Sequence, residues 1–347
     1  MAGGIPVGHA EPTQMGRYII RRSLGALLVL IVVSMLTFAV FMWVPVLTGA
    51  DYAYLYAGRH PSPAQVDAVR HKLGFDKPIT TQYLLYMKGI FTGREYSSGN
   101  QTVECPTPCL GYSFLRHQNV WDLIKEKFPV TLSLTGGAAI MWLIFGTGVG
   151  VLSAIKKGSL LDRASMGIAL AGVSLPIFFT GNMLLLIFSY KLAWIPNVHY
   201  VPFTQNPGEW FTNLILPWIA LVTIFAAAYA RLMRASMLET MGEDYIRTAR
   251  AKGLGRRKVI VRHGMRAAIT PIVTIFGLDL GLLLGGAIIT ETVFNIPGIG
   301  KLSYDAIAGR DLPVIMGTTI FAAVFIVVAN IVVDVLYSVV DPRVRLQ

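Results

Sequence analysis

Charge is scarce in this chain. Only 14% of its 347 residues are Asp, Glu, Lys or Arg, while 54% are hydrophobic; an ordinary soluble domain has about 25% charged residues. That excludes a water-borne globule and points to segments whose solvent is lipid. Acids are rarer than bases, 19 against 30, which leaves a net charge of +11. Such an excess would suit nucleic acid, but the basic residues gather at the ends of apolar runs, where the positive-inside rule puts them. No nucleic-acid partner is expected. Cysteine is reduced to Cys105 and Cys109 and histidine to six residues, so no zinc or iron–sulfur constellation can be assembled and no metal is expected. A catalytic set is missing too. GIGKLS at 298–303 has the outline of a phosphate loop, but Leu302 follows Lys301 where Ser or Thr is required, and Asn295 holds the place of the first glycine.

What is present is a series of six long apolar runs. Residues 1–16 read as a disordered tail, followed by Arg17, Arg21 and Arg22 and a run from Ser23 to Val46. This run exceeds the about 7–15 residues of a signal-peptide core and no small-residue cleavage site follows. It is expected to be a retained first span (17–46) with the N-terminus in the cytoplasm. Residues 47–128 are polar and belong outside, with short helices over 63–73 and 79–91. Cys105 and Cys109 lie here, where a disulfide is permitted; a bridge and two free thiols are both open. The remaining core, 129–347, holds runs over 129–155, 164–188, 214–229, 271–294 and 314–340. Short loops with Lys156, Lys157 and Arg163, and a basic block from Arg231 to Arg266, mark the inner side, so the C-terminus is inside as well.

One stretch between the fourth and fifth runs is unlike its surroundings: EDYIRTARAKGLGRRKVIVRHGMRAAITP, 243–271. Glu243 and Asp244 suit the positive end of a helix dipole. Ile246, Ala249 and Gly253 recur at i, i+3 and i+7, a narrow small-residue stripe, and Gly253 can end the helix. The reading is a short amphipathic helix at the membrane surface whose smooth face suits docking against another protein; the alternative is a helix resting on lipid headgroups. In the fifth run Gly277, Gly281 and Gly285 form a ridge that lets helices approach closely. Asp279 sits within the same run. A carboxylate there is a functional candidate, or else a group hydrogen-bonded between helices.

These residues together resemble the transmembrane permease of bacterial ATP-binding-cassette importers in the dipeptide/oligopeptide/nickel group, of the "B" type. The resemblance rests chiefly on RASMLETMGEDYIRTARAKGLGRRKVIVRHGMRAAITP, 234–271, with LGFDKPITTQYL at 73–84, SLPIFFTG at 174–181, ETVFNIPGIGKL at 291–302 and NIVVDVLYSVVDPRVR at 330–345. It implies an all-α protein of the bacterial inner membrane with six spans, in the type I importer architecture. It implies a cytoplasmic coupling loop, 237–271, in which Glu243, Asp244, Tyr245, Ile246, Thr248, Ala249, Lys252, Gly253 and Leu254 meet the ATPase. The implied partners are a second, "C"-type permease, two ATPase domains that carry ATP and Mg, and an extracytoplasmic substrate-binding protein. No cofactor is expected on this chain. The glycine ridge then has two readings, packing within one bundle or against the second permease. Arg247 stands where the general importer loop has a glutamate, and 94–110 looks like an insertion. The alternative is a secondary transporter or channel with Asp279 as an ion or proton site.

Overall fold

The structure is a computed structural model that describes residues 12–340 apart from 48, 50, 58–59, 99–100 and 196–197. The tail expected over 1–16 lies outside the described residues up to residue 11, as do residues 341–347. Among the described residues, four helices are long and apolar enough to cross a membrane: Arg21–Trp43, Val120–Ile155, Pro207–Thr240 and Leu312–Val333. Two bent helix pairs bring the number to six.

Helix α1 (Pro12–Phe38) runs on through a π-helical turn, Ala39–Trp43. The polar segment after it forms helices α2 (Pro63–Leu73) and α3 (Ile79–Thr92). α2 begins with a reciprocal capping box between Ser62 and Gln65 and ends at Gly74, whose φ of 76° only glycine adopts cheaply. Two small hairpins accompany these helices. An antiparallel hairpin joins β1 (Arg94–Ser98) to β2 (Gln101–Cys105), and a smaller one joins β3 (Tyr112–Ser113) to β4 (Gln118–Asn119).

Helix α4 (Val120–Ile155) then runs unbroken for 36 residues, through Pro129. Residues 120–128 are therefore continuous with the helix of the second run. α5 (Leu160–Ser174) starts at Ser159, whose hydroxyl caps the Asp162 amide at 3.2 Å. Leu175, preceding Pro176, is extended, as a residue before proline prefers, and α6 (Ile177–Leu184) leaves at 101° to α5. The third run is thus a broken pair and not one rod. α7 (Pro207–Thr240) is capped by Asn206, with Pro207 in its first turn. It packs along α4, and the glycines of α4 make this close: a Cβ at Gly146 would lie 2.9 Å from the Ala226 carbonyl, and one at Gly150 2.6 Å from the Ala230 carbonyl. Contacts advance together in both helices, so α4 and α7 are parallel. Their shared core holds Leu134, Trp142, Leu221, Tyr229 and Met233.

After a short helix, α8 (Asp244–Ala251), and a π-helical turn at Val259–Gly264, comes α9 (Thr270–Leu284). The fifth run does not continue to Phe294 as one helix. It stops at Gly285–Gly286, and α10 (Ile288–Val293) and α11 (Ile299–Gly309) follow as separate pieces before α12 (Leu312–Val340).

Candidate functional site

α8 has only eight residues. Isolated helices below about 12–15 residues are marginal in water, so packing must hold it. Ile246 is fully buried and Ala249 nearly so, and both pack on Val259, with Met241 and Leu254 alongside. The C-terminus is closed by a Schellman motif: Gly253 N–H donates to the Arg250 carbonyl at 2.9 Å and Leu254 N–H to the Ala249 carbonyl at 3.3 Å, with Gly253 at φ 76°. Leu254 folds back onto the Ile246–Ala249 face, as that motif favours.

This geometry corrects the reading of the small-residue stripe. Ile246 and Ala249 form the inner face that seats α8 on its own chain. Glu243, Asp244, Tyr245, Thr248 and Lys252 are exposed, and Gly253 is exposed at the helix end. The middle of the outer face is occupied by Arg247 and Ala251, both exposed and both outside the expected set. Arg247 lies 3.2 Å from Asp244 on the surface, a pair worth little in water. Patterning reveals that one face is apolar; it does not say whose atoms cover it.

At the junction of α4, α5 and α7 sits a brace that sequence reasoning missed. Asp162 is 3% exposed. Arg234 holds it with both arms, Nε to Oδ1 at 2.7 Å and Nη2 to Oδ2 at 2.9 Å, while Gly158 N–H donates at 2.8 Å and the Ser153 hydroxyl donates to Oδ1. Bidentate pairing fixes orientation as well as distance. The end of α4, the start of α5 and the last turns of α7 are thereby locked together, Arg234 standing ten residues before Asp244 opens α8. Arg234 read as an ordinary inner-side charge, and 72 residues separate it from Asp162.

The glycine ridge faces α12 of the same chain. A Cβ at Gly277 would meet Val333 at 2.0 Å, one at Gly281 would meet Ala329 at 2.3 Å, and one at Gly285 would meet Ala322 at 2.7 Å. The register runs in opposite directions, so α9 and α12 are antiparallel and nearly backbone to backbone. Asp279, two residues beyond Gly277, turns away from α12 toward α7, where the Tyr229 hydroxyl donates to Oδ2 at 2.8 Å. It is half-buried in protein.

Comparison with known proteins identifies the family. The family model of the binding-protein-dependent transport system inner membrane component matches residues 146–346, and its N-terminal companion matches residues 15–135. The chain belongs to this family of transport permeases. The dipeptide transport system permease protein DppB of Escherichia coli K12 is 38% identical over 355 residues, covering 95% of this chain and 99% of that one. The di/tripeptide transport system permease protein DppB of Pseudomonas aeruginosa is 37% identical, with 91% and 94% covered. The glutathione transport system permease protein GsiC of Escherichia coli O6:H1 is 38% identical, with 95% and 99% covered.

On the opposite end of the permease the phosphate-loop outline at 298–303 finds its explanation. Glu291 of α10 is fully buried and lies at the N-terminus of α11. Its carboxylate accepts from Lys301 N–H at 2.8 Å, Ala287 N–H at 3.3 Å and the Thr131 hydroxyl at 2.8 Å. Gly298 and Gly300 are needed because a Cβ at Gly298 would lie 2.4 Å from that carboxyl and one at Gly300 2.6 Å from the Ile288 amide nitrogen. A glycine-rich helix start that elsewhere takes an anionic ligand here takes the permease's own glutamate. Thr131 also accepts from Ile299 N–H at 2.8 Å, which ties α4 to the same loop. Nearby, Cys105 and Cys109 are joined in a disulfide. Ser113 donates to Asp311 ahead of α12, with Arg116 at 4.0 Å. Burial pushes the Asp311 carboxyl above the usual range, against the pull of Ser113 and Arg116.

Proposed function

We propose that this permease is the membrane-spanning subunit of an ATP-driven peptide importer of the inner membrane. It forms the translocation pathway with a second permease and is driven by two ATP-binding-cassette domains on its basic side. A substrate-binding protein delivers cargo to the side that carries the disulfide hairpin. Both termini face the cytoplasm, and ATP and Mg are bound by the partners, so the chain performs no catalysis itself. Peptide as cargo is supported by relatives named for dipeptide, di/tripeptide and glutathione transport that align over nearly their whole lengths.

The observation that carries the coupling role is the seating of α8. Its inner face is apolar and held by Val259, its outer face is polar and bare, and it follows α7, which carries Arg234 of the brace. A push on the outer face would pass through Ile246 into the π-helical turn at Val259–Gly264, and through Met241, which packs on both α8 and the main core, into α7, which the brace ties to α4 and α5. ATPase closure would thus move these helices as a unit. Asp279 has its partner in Tyr229 within the chain, which supports a structural role between α7 and α9.

The test is reconstitution of the permease with its partner permease, ATPases and binding protein in vesicles. Uptake of labelled di- and tripeptides is expected only with ATP and binding protein together. Gradient-driven uptake by the permease without ATPase would refute the proposal. Mass spectrometry of the material carried by the co-purified binding protein identifies the cargo.

A further inference from the structure

Ten basic residues against three acidic ones occupy the stretch from Arg231 to Arg266. Arg234 is paired with Asp162 and Arg247 with Asp244, but Arg250, Arg256 and Arg257 have no ion-pair partner among the described residues. These three arginines stand around two grooves. The first, about 520 Å³, opens between the ends of α4 and α7 and the inner side of α8; Met237, Met241 and Val259 line it, with Arg250 and Arg256. The second, about 390 Å³, has Val151, Val261 and Met265 as walls and Arg257 at its edge. Ile155, Arg256 and Ile260 line both grooves, so the two are continuous.

We propose that the paired grooves hold an anionic phospholipid. Its phosphate lies among Arg250, Arg256 and Arg257, and an acyl chain follows Val151, Val261 and Met265. The placement argues for lipid. Val151 is on the last turns of α4, a membrane-crossing helix, and Met265 leads into the bent pair that contains α9. The second groove therefore borders hydrocarbon, and the exposed side chain of Val261 is at home there and not in water. The first groove sits at the level of the basic surface, where each arginine attracts anionic lipid and its planar fork fits a phosphate. A free phosphate would use the arginines and leave the second groove empty, and a zwitterionic lipid would gain little from three unpaired cations. Because Arg250 belongs to α8 and Ile155 to α4, a lipid held here touches both the coupling helix and the bundle. It links the seating of α8 to the composition of the inner leaflet.

The experiment is native mass spectrometry of the assembled transporter released from bilayers of equal phosphatidylglycerol and phosphatidylcholine, and it reads lipid retention independently of cargo. The wild type is expected to keep phosphatidylglycerol and to lose phosphatidylcholine. The double variant Arg256→Gln/Arg257→Gln is expected to retain about thirtyfold less, given roughly 1 kcal/mol per basic residue near an anionic surface. Val261→Trp, which keeps every charge and fills the second groove, is expected to lose the lipid as well, and it carries the test alone if the double variant fails to assemble. Equal retention of the two lipids, no lipid on the wild type because a partner subunit covers the grooves, or unchanged retention in the double variant would overturn the proposal. Full retention in Val261→Trp, or displacement by inorganic phosphate, would mark a plain phosphate site and overturn it too.

Discussion

Replacing Ile246 with Ala should detach α8 while leaving the membrane bundle intact. Ile246 is fully buried, yet its cluster contains only Ala249, Val259, Met241 and Leu254 besides itself. Truncating a buried Ile to Ala typically costs about 2–5 kcal/mol. In a large core that loss is shared, but an eight-residue helix has little stability of its own to oppose it. At about 1.4 kcal/mol per decade, the local opening equilibrium of α8 should rise by roughly 30-fold to a few thousandfold. Hydrogen exchange of the purified permease reads this directly: amides of 246–254 should lose protection, while those of α4 and α7 keep theirs. The contrasting variant is Ala251→Trp, on the bare outer face. It should leave exchange unchanged and weaken capture of the ATPase, because overpacking a close-fitting contact costs about 1–3 kcal/mol. Ala249→Trp belongs with Ile246→Ala, since Ala249 is itself on the buried face. Unchanged protection in Ile246→Ala would refute the seating argument. Full ATPase capture and coupling by Ala251→Trp would refute the assignment of the outer face as the docking surface.

Other expectations follow from the same contacts. Gly281→Leu should separate α9 from α12, because a Cβ there already falls 2.3 Å from that of Ala329; a lower melting temperature and loss of a Gly285→Cys/Ala322→Cys cross-link in that background would show it, and wild-type values for both would contradict it. Glu291→Ala should strand the amides of Lys301 and Ala287, at about 1–3 kcal/mol for each buried group left without a partner. Protease cutting within 295–301 should increase in Glu291→Ala and increase less in Glu291→Gln; equal resistance in wild type and Glu291→Ala would refute the cap. Asp311, raised by burial, contributes stability that is fully present below the ordinary carboxylate pKa of about 3.9 and is lost as pH rises through its higher folded value. The attachment of 112–119 to the start of α12 should therefore tighten in acid, and Asp311→Asn should flatten that dependence in limited proteolysis between about pH 4 and 7; an unchanged profile in Asp311→Asn would point to another group.

Much of this permease is readable from its sequence because lipid imposes simple rules. Apolar runs of span length and basic residues gathered at their inner ends are dictated by solvent alone, and they pointed to the class and to six spans. The dense motif at 234–271 pointed to the family before any contact was known. One cap was legible for the same local reason: Gly253 ends α8, since it acts on atoms a few residues away. What tertiary structure decided is the identity of the atoms across each face. The stripe of Ile246 and Ala249 reads equally well as a partner's seat or as the chain's own, and only the position of Val259 settles it. The ridge at Gly277, Gly281 and Gly285 calls for a close neighbour, and α12 supplies it. Pro176 announces a break after Ser174, but its angle of 101° is seen only in the structure. Asp162 with Arg234 and Glu291 with Thr131 are separated by 72 and 160 residues, and hydrogen bonds over such distances leave no periodic trace in a chain. Local rules act over one helical turn; partners at long range are chosen by the packing of the whole bundle.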